Sequence, residues 1–210
     1  MTDAIVIRPA RREDAAALPL LEQHAGALFR TLPDLAWIAD DAVMTAESHG
    51  AAIAEETCWV AAPRESHRES YRESPIGFLT ARIAVEDGGG PDAGRKVLHV
   101  WQMAVAPDRQ GKGLGRRLLD CAARQAAARG IASLTLTTFR DVAWNAPFYA
   151  RAGFGLLDPA ALTPRLRTIL AAEAAHGLPA PRRCAMRRVL PQMLPGALPR
   201  TGVGDGRALS

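Results

Sequence analysis

Hydrophobic positions along the chain recur with two different periods, and the switches between them mark out its elements. Residues 5–8, Ile-Val-Ile-Arg, read as a first strand, and residues 11–27 as a helix interrupted at Pro19. A second helical stretch follows Pro33-Asp34 and covers 37–53. Residues 57–62 are rich in strand formers, and 76–85 are predicted to be their partner. An apolar run at 97–105 stops at Pro107, and spaced glycines come next. Leu114, Leu118, Ala122 and Ala126 then recur every fourth residue, the stripe of a helix that ends at Gly130. Residues 134–137 alternate Leu and Thr, which suits a strand with one dry face. A short helix is predicted up to Gly153, a longer one over 163–176 and a last strand over 182–190. Strand, helices, mixed strands, then strand-helix-strand-helix-strand is the pattern of a three-layer α/β or α+β domain.

Two polar stretches interrupt this pattern. Residues 64–74 repeat Arg-Glu-Ser and bury nothing, so they read as an exposed hairpin insert, and residues 86–96 contain Gly88-Gly89-Gly90-Pro91. The domain is expected to span 1–190, with 191–210 as a flexible C-terminal tail. A chain of 210 residues can bury a sizeable core without staples. Its three cysteines, Cys58, Cys121 and Cys184, form no C-x-x-C pair, and its five histidines have no metal-ligand spacing, so a reduced, metal-free, cytoplasmic protein is expected. The start lacks the pattern of a signal peptide, and no apolar run approaches the roughly 20 residues of a membrane helix, so no membrane partner is expected. The net charge of +4 comes from arginines interleaved with acids, with lysine only at Lys96 and Lys112, a solvated surface rather than a nucleic-acid stripe.

The glycines after Pro107 carry the chemistry. Strand, glycine turn and helix N-terminus make an anion site in outline, because the first amides of a helix have no intrahelical partner and the macrodipole is positive there. Spacing separates the phosphate-binding turns that could read this way. A P-loop needs Gly where Ala106 stands and Ser or Thr where Gly113 stands, and a dinucleotide fingerprint meets Arg116 in place of its third Gly or Ala. What matches is Gln110-Gly111-Lys112-Gly113-Leu114-Gly115 directly after Met103-Ala104-Val105-Ala106-Pro107. It resembles the Gln/Arg-x-x-Gly-x-Gly/Ala signature of the GNAT acyltransferases. Downstream, Tyr149-Ala150-Arg151-Ala152-Gly153-Phe154 is similar to that family's Tyr-x-x-x-Gly-Phe ending, in the family's order and spacing.

The resemblance implies the GNAT fold, a mixed sheet of about seven strands flanked by helices and splayed between the fourth and fifth, the strands ending near Val105 and Thr138. It implies acetyl-CoA as acyl donor, with direct transfer to an amine of a small molecule or peptide and no metal. A homodimer is compatible with it. In this reading the backbone of Gln110, Gly111, Lys112, Gly113, Leu114 and Gly115 holds the pyrophosphate, and the Lys112 and Arg116 cations add to the cradle. The strand end Met103, Ala104 and Val105 pairs with the pantetheine arm, the Val105 amide facing the thioester oxygen.

Tyr149 is the candidate general acid for the leaving thiolate. Asn145 is expected to cap the short helix ahead of Pro147. It also stands to take the coenzyme contact that many members give to an Asn where this chain has Val142. The general base stays open. Many members carry acids where this chain has Trp101 and Gln102, so His99, Glu22 or water is left for the role. Glu22, Asp34, Asp40 and Asp41, with Phe29 and Trp37, border the expected acceptor region and suit a cationic, partly apolar amine. The rival reading is a degenerate GNAT-fold protein that senses acyl-CoA without turnover.

Overall fold

A computed structural model describes residues 5–64, 74–88 and 93–191. Most of the Arg-Glu-Ser insert and of the C-terminal tail lies outside these residues. Seven strands form one sheet in the order β1-β2-β3-β4-β5-β7-β6. They are β1 (Ile5–Pro9), β2 (Cys58–Pro63), β3 (Gly77–Val85), β4 (Lys96–Val105), β5 (Ser133–Phe139), β6 (Gly155–Leu156) and β7 (Arg183–Val189). Every pairing is antiparallel except that of β4 with β5. Those two strands stay paired only at Val97↔Ser133, Leu98↔Leu134 and His99↔Thr135, then part. The remainder of each strand is left facing a gap, the splay that the sequence implied.

Alternation along the strands sends side chains to two cores. Trp59, Leu79 and Leu136 pack against α3 (Leu114–Ala128), whose Leu118 and Ala122 are fully buried, and α4 (Ala146–Arg151) joins the same side. Cys58, Val60 and Phe78 point the other way, onto Leu18 and Leu21 of α1 (Leu18–Gly26) and Ala52 of α2 (Ala46–Ala54). Fully burying one such Leu contributes roughly 1.5–3 kcal/mol. A fifth helix, α5 (Pro164–Ala175), packs against β5 and β7.

The helices before β2 are shorter than their periodicity suggests. The helix predicted over 11–27 is a 3-10 turn, Arg12–Ala17, followed by α1, in which Pro19 occupies the first turn instead of interrupting the helix. Proline is tolerated there because the missing N–H would have no intrahelical partner. Ahead of it, Asp14 accepts from the Arg11 amide at 2.6 Å and from the Arg8 guanidinium at 2.7 and 3.0 Å. The stretch predicted as one helix over 37–53 divides into a 3-10 segment, Pro33–Asp40, and α2. Asp41 is extended, and Thr45 starts the second piece by accepting from the Ser48 amide at 3.1 Å. This break matters for the site, because residues 41–43 form one of its walls.

Candidate active site

The gap between β4 and β5 opens into a cleft of about 720 Å³. Met103, Ala104 and Val105 line one wall, and Leu136, Thr137, Thr138 and Phe139 the facing one. At the mouth stand Gln110, Gly111, Gly113, Leu114, Gly115 and Arg116. Gly113 is the N-cap of α3 with φ of 76°, and Gly111 has φ of 72°, left-handed conformations that glycine adopts without strain. A Cβ on either would meet nothing within 4 Å, so both face open space beside the helix N-terminus. Gly115 has a different role: a Cβ there would come within 3.2 Å of the Phe148 ring, so its bareness lets α4 pack close. The Gln110 side chain donates to the Val105 carbonyl at 3.1 Å, tying the turn to the strand end.

Two cations expected near the phosphates are otherwise engaged. Lys112 does not line the cleft and donates to the Asp108 carbonyl at 2.9 Å. Arg116 lines it, yet its guanidinium is held by Asp120 at 3.1 Å and by the Arg151 carbonyl at 2.6 Å. Asn145 corrects an expectation outright, since its side chain makes no capping bond to α4. Its Oδ1 accepts instead from the Thr138 hydroxyl at 2.8 Å, and its buried Nδ2, in the cleft wall, has no hydrogen-bond partner. An orphaned buried donor of this kind fits a site completed by a polar ligand.

Tyr149 lines the cleft from α4, its ring packed on Phe148 and Phe154 at centroid distances of 5.1 and 5.7 Å. Burial pushes its hydroxyl up to about 12, with Arg183 opposing the rise, so it holds its proton at neutral pH. Gly153 follows the helix with φ of 89°, and the Phe154 amide returns to the Tyr149 carbonyl at 3.0 Å.

Of the two candidate bases, the structure brings only Glu22 into the cleft. His99 is 3% exposed and absent from the cleft wall, with its Nδ1 held 3.0 Å from the Thr135 hydroxyl. Burial and the Arg165 charge lower it to about 3, so it stays neutral. Glu22 projects from α1 to Gln102, which donates to its Oε1 at 2.5 Å, and the Met44 amide approaches both oxygens at 3.3 and 3.4 Å. Desolvation dominates those donors and raises its carboxyl to about 7. Gln102 stands beside a β-bulge: Thr80 pairs with Gln102 but Ala81 with Val100, which leaves Trp101 as the extra residue. Trp101, 47% exposed, still meets the His99 ring edge-on at a centroid distance of 5.7 Å.

Among the acids near the expected acceptor region, Asp41 lines the cleft with Glu22 and is paired with His176 at 2.8 Å. Asp34 and Asp40 are not in its wall, Asp40 being paired with Arg30 at 2.5 Å. Phe29 lines the cleft and Trp37 does not. Sequence reasoning missed Phe139, Trp144 and Leu178, which join Phe29 and Ile38 in an apolar end of the cleft, and Glu173, which Arg183 holds at 2.7 and 2.9 Å. Their only signal was apolar or charged character within elements already counted as core or surface. Among the described residues no group of three His, Cys, Asp or Glu side chains is placed to hold a metal. No helix among them is long and apolar enough to cross a membrane.

Known proteins share this arrangement. The family model described as acetyltransferase (GNAT) matches residues 27–154, which include both glycine turn and Tyr149. The chain belongs to the GNAT acetyltransferase family. Solved GNAT structures superpose over nearly all of it. The ribosomal-protein-S18-alanine N-acetyltransferase from Escherichia coli is 16% identical, with a TM-score of 0.57 over 93% of this chain and 99% of that one. PaiA N-acetyltransferase from Thermoplasma acidophilum, solved with coenzyme A, is 17% identical, with a TM-score of 0.55 over 89% of this chain and 99% of that one. A GNAT acetyltransferase from Listeria monocytogenes is 12% identical, with a TM-score of 0.58 over 90% of this chain and 99% of that one. At these identities the shared property is the fold.

Proposed function

We propose that this GNAT protein is an acetyl-CoA-dependent N-acetyltransferase that moves the acetyl group directly to an amine of a small molecule or peptide, in the cytoplasm. Glu22 is the observation that carries the reading. The acid that the strand lacks at Trp101 and Gln102 is supplied from α1, and Gln102 grips it at 2.5 Å. With its carboxyl raised to about 7, Glu22 is ionised in a useful fraction near neutrality and basic enough to take a proton from an ammonium group. The free amine then forms the new C–N bond at the acyl carbon as the C–S bond breaks. Tyr149, facing the cleft from the other layer of the fold, gives its proton to the departing thiolate and regains one from the acylated nitrogen, which leaves a neutral amide.

The backbone from Gln110 to Gly115 and the orphan Asn145 Nδ2 would hold the coenzyme, and the Val105 amide would polarise the acyl oxygen. The apolar end bounded by Phe29, Phe139, Trp144 and Leu178 suits an acceptor with an apolar body beside its amine. Free, buried Cys58, Cys121 and Cys184 suit a reducing compartment.

Screening amines, amino acids, polyamines, aminoglycosides and peptides for thiol release from acetyl-CoA tests this. Release is expected to rise with pH through about 7 and to lose that dependence in Glu22→Gln. Saturable acetyl-CoA binding with no thiol release for any acceptor class would favour the sensor reading instead.

A further inference from the structure

Helix α2 carries a histidine that the reaction above does not use. His49 is fully buried, edge-on to Phe78 at a centroid distance of 5.0 Å, with its Nδ1 2.9 Å from the Thr80 hydroxyl. Its other ring nitrogen, Nε2, has no hydrogen-bond partner and lies 3.9 Å from Oε2 of Glu22. That gap is too short to hold a water molecule and about 1 Å longer than a hydrogen bond, so a small side-chain movement closes it. An orphan nitrogen in the core gains by closing it.

A buried row of groups bears on which ring nitrogen carries the proton. Cys58 Sγ lies 3.3 Å from Thr80 Oγ1, and burial pushes that thiol up to about 11, so it remains S–H and can donate. With Cys58 as donor, Thr80 gives its own proton to Nδ1, which leaves the ring proton on Nε2, facing Glu22. The opposite order would aim a lone pair at an ionised carboxylate.

We propose that His49 is a positioning residue for the Glu22 base, its Nε2–H joining Gln102 and the Met44 amide in orienting the ionised carboxylate. This rests on the reading of Glu22 as base. A second, polar recess bounded by Thr45, Ser48, Arg82 and Trp101 also reaches Glu22. A proton taken from the amine makes Glu22 a carboxylic acid, and water in that recess then accepts the proton, restoring the carboxylate. His49 faces Glu22 from α2 without lining either recess, Arg82 from β3 shares the polar recess with it, and Asp41, paired with His176, shares the cleft with it together with Arg109, Arg116, Tyr149, Glu173 and Arg183.

Two NMR measurements on the full-length protein test this without an acceptor. Long-range ¹H–¹⁵N correlations at pH 8 are expected to show His49 protonated on Nε2, and a proton on Nδ1 overturns the proposal. A ¹³C titration of the Glu22 carboxyl, assigned with Glu22→Gln, is expected to shift upward by roughly one pH unit in His49→Phe, which removes the donor, and to return in His49→Gln, which restores one. An unchanged midpoint in His49→Phe also overturns it. Should that variant fail to fold, the wild-type tautomer decides. A wild-type Glu22 midpoint in the ordinary carboxylate range would sink the base assignment itself, a result distinct from either outcome for His49.

Discussion

At the scale of single residues, environment separates groups that look alike in the sequence. Glu22 and His99 were equal candidates for the base, yet one stands in the cleft and the other is locked against Thr135 behind the last β4–β5 pair. Burial acts on both and raises the acid while lowering the histidine, because in each case it disfavours the charged form. Tyr149 is shaped by the same force, and its hydroxyl keeps the proton that a general acid needs. Tyr149→Phe retains the packing on Phe148 and Phe154 and removes only that proton. With an acceptor from the screen, kcat is expected to fall roughly 10²- to 10⁴-fold while acetyl-CoA affinity barely moves. Equal kcat values would make the tyrosine a packing residue, and lost affinity at normal kcat would make it a ligand contact.

At the scale of elements, the β4–turn–α3 unit is the part that local chemistry specifies most completely. Pro107 stops the strand, Gly111 and Gly113 allow the left-handed turn, and the stripe from Leu114 to Ala126 anchors the helix so that its bare N-terminus faces the cleft. Gly113→Glu places a carboxylate against that positive end and strains the backbone by about 1–2 kcal/mol at a φ of 76°. The wild-type melting temperature is expected to rise with acetyl-CoA as the ratio of its concentration to Kd grows, and the variant's to stay constant. Unchanged stabilisation of the variant, read by thermal shift, would remove the phosphate-turn assignment. The short helix α4 is less self-sufficient. Asn145 precedes Pro147 as a cap residue should, yet Thr138 from the neighbouring strand captures its side chain, a tertiary contact that outweighs the local preference.

At the scale of the whole molecule, stability carries opposing pH dependences. Glu22 has its folded-state pKa raised from 4.5 to about 7, so its contribution is complete at low pH and lost as pH rises through about 7. His49 and His99 have theirs lowered from 6.5 to about 4 and about 3, so their contribution is complete above 6.5 and lost as pH falls. Between about 4.5 and 6.5 the two trends oppose each other in the wild type, the two histidines outweighing the one acid. Glu22→Gln removes the first. At pH 8 that variant is expected to be more stable by on the order of 3 kcal/mol, roughly 5–10 °C in Tm, with the advantage gone by pH 4. Calorimetry across that range checks it, and a constant difference between the two proteins would show that Glu22 is not held above its ordinary pKa.

The sequence by itself determined the family, the sheet, the glycine turn and Tyr149, because each rests on local rules of period, backbone freedom and motif spacing that act over a few residues. Tertiary structure alone decided how the helices before β2 divide, since capping by Thr45 and the wall formed by residues 41–43 outweigh a continuous apolar period. It also brought Glu22 against Gln102 and built the apolar end of the cleft. Glu22 and Gln102 are 80 residues apart in the chain. Their meeting depends on the crossing of α1 over β4 and on a bulge at Trp101 that leaves no mark in composition. Charge state follows from that meeting, because desolvation is a property of the assembled surroundings and not of the residue.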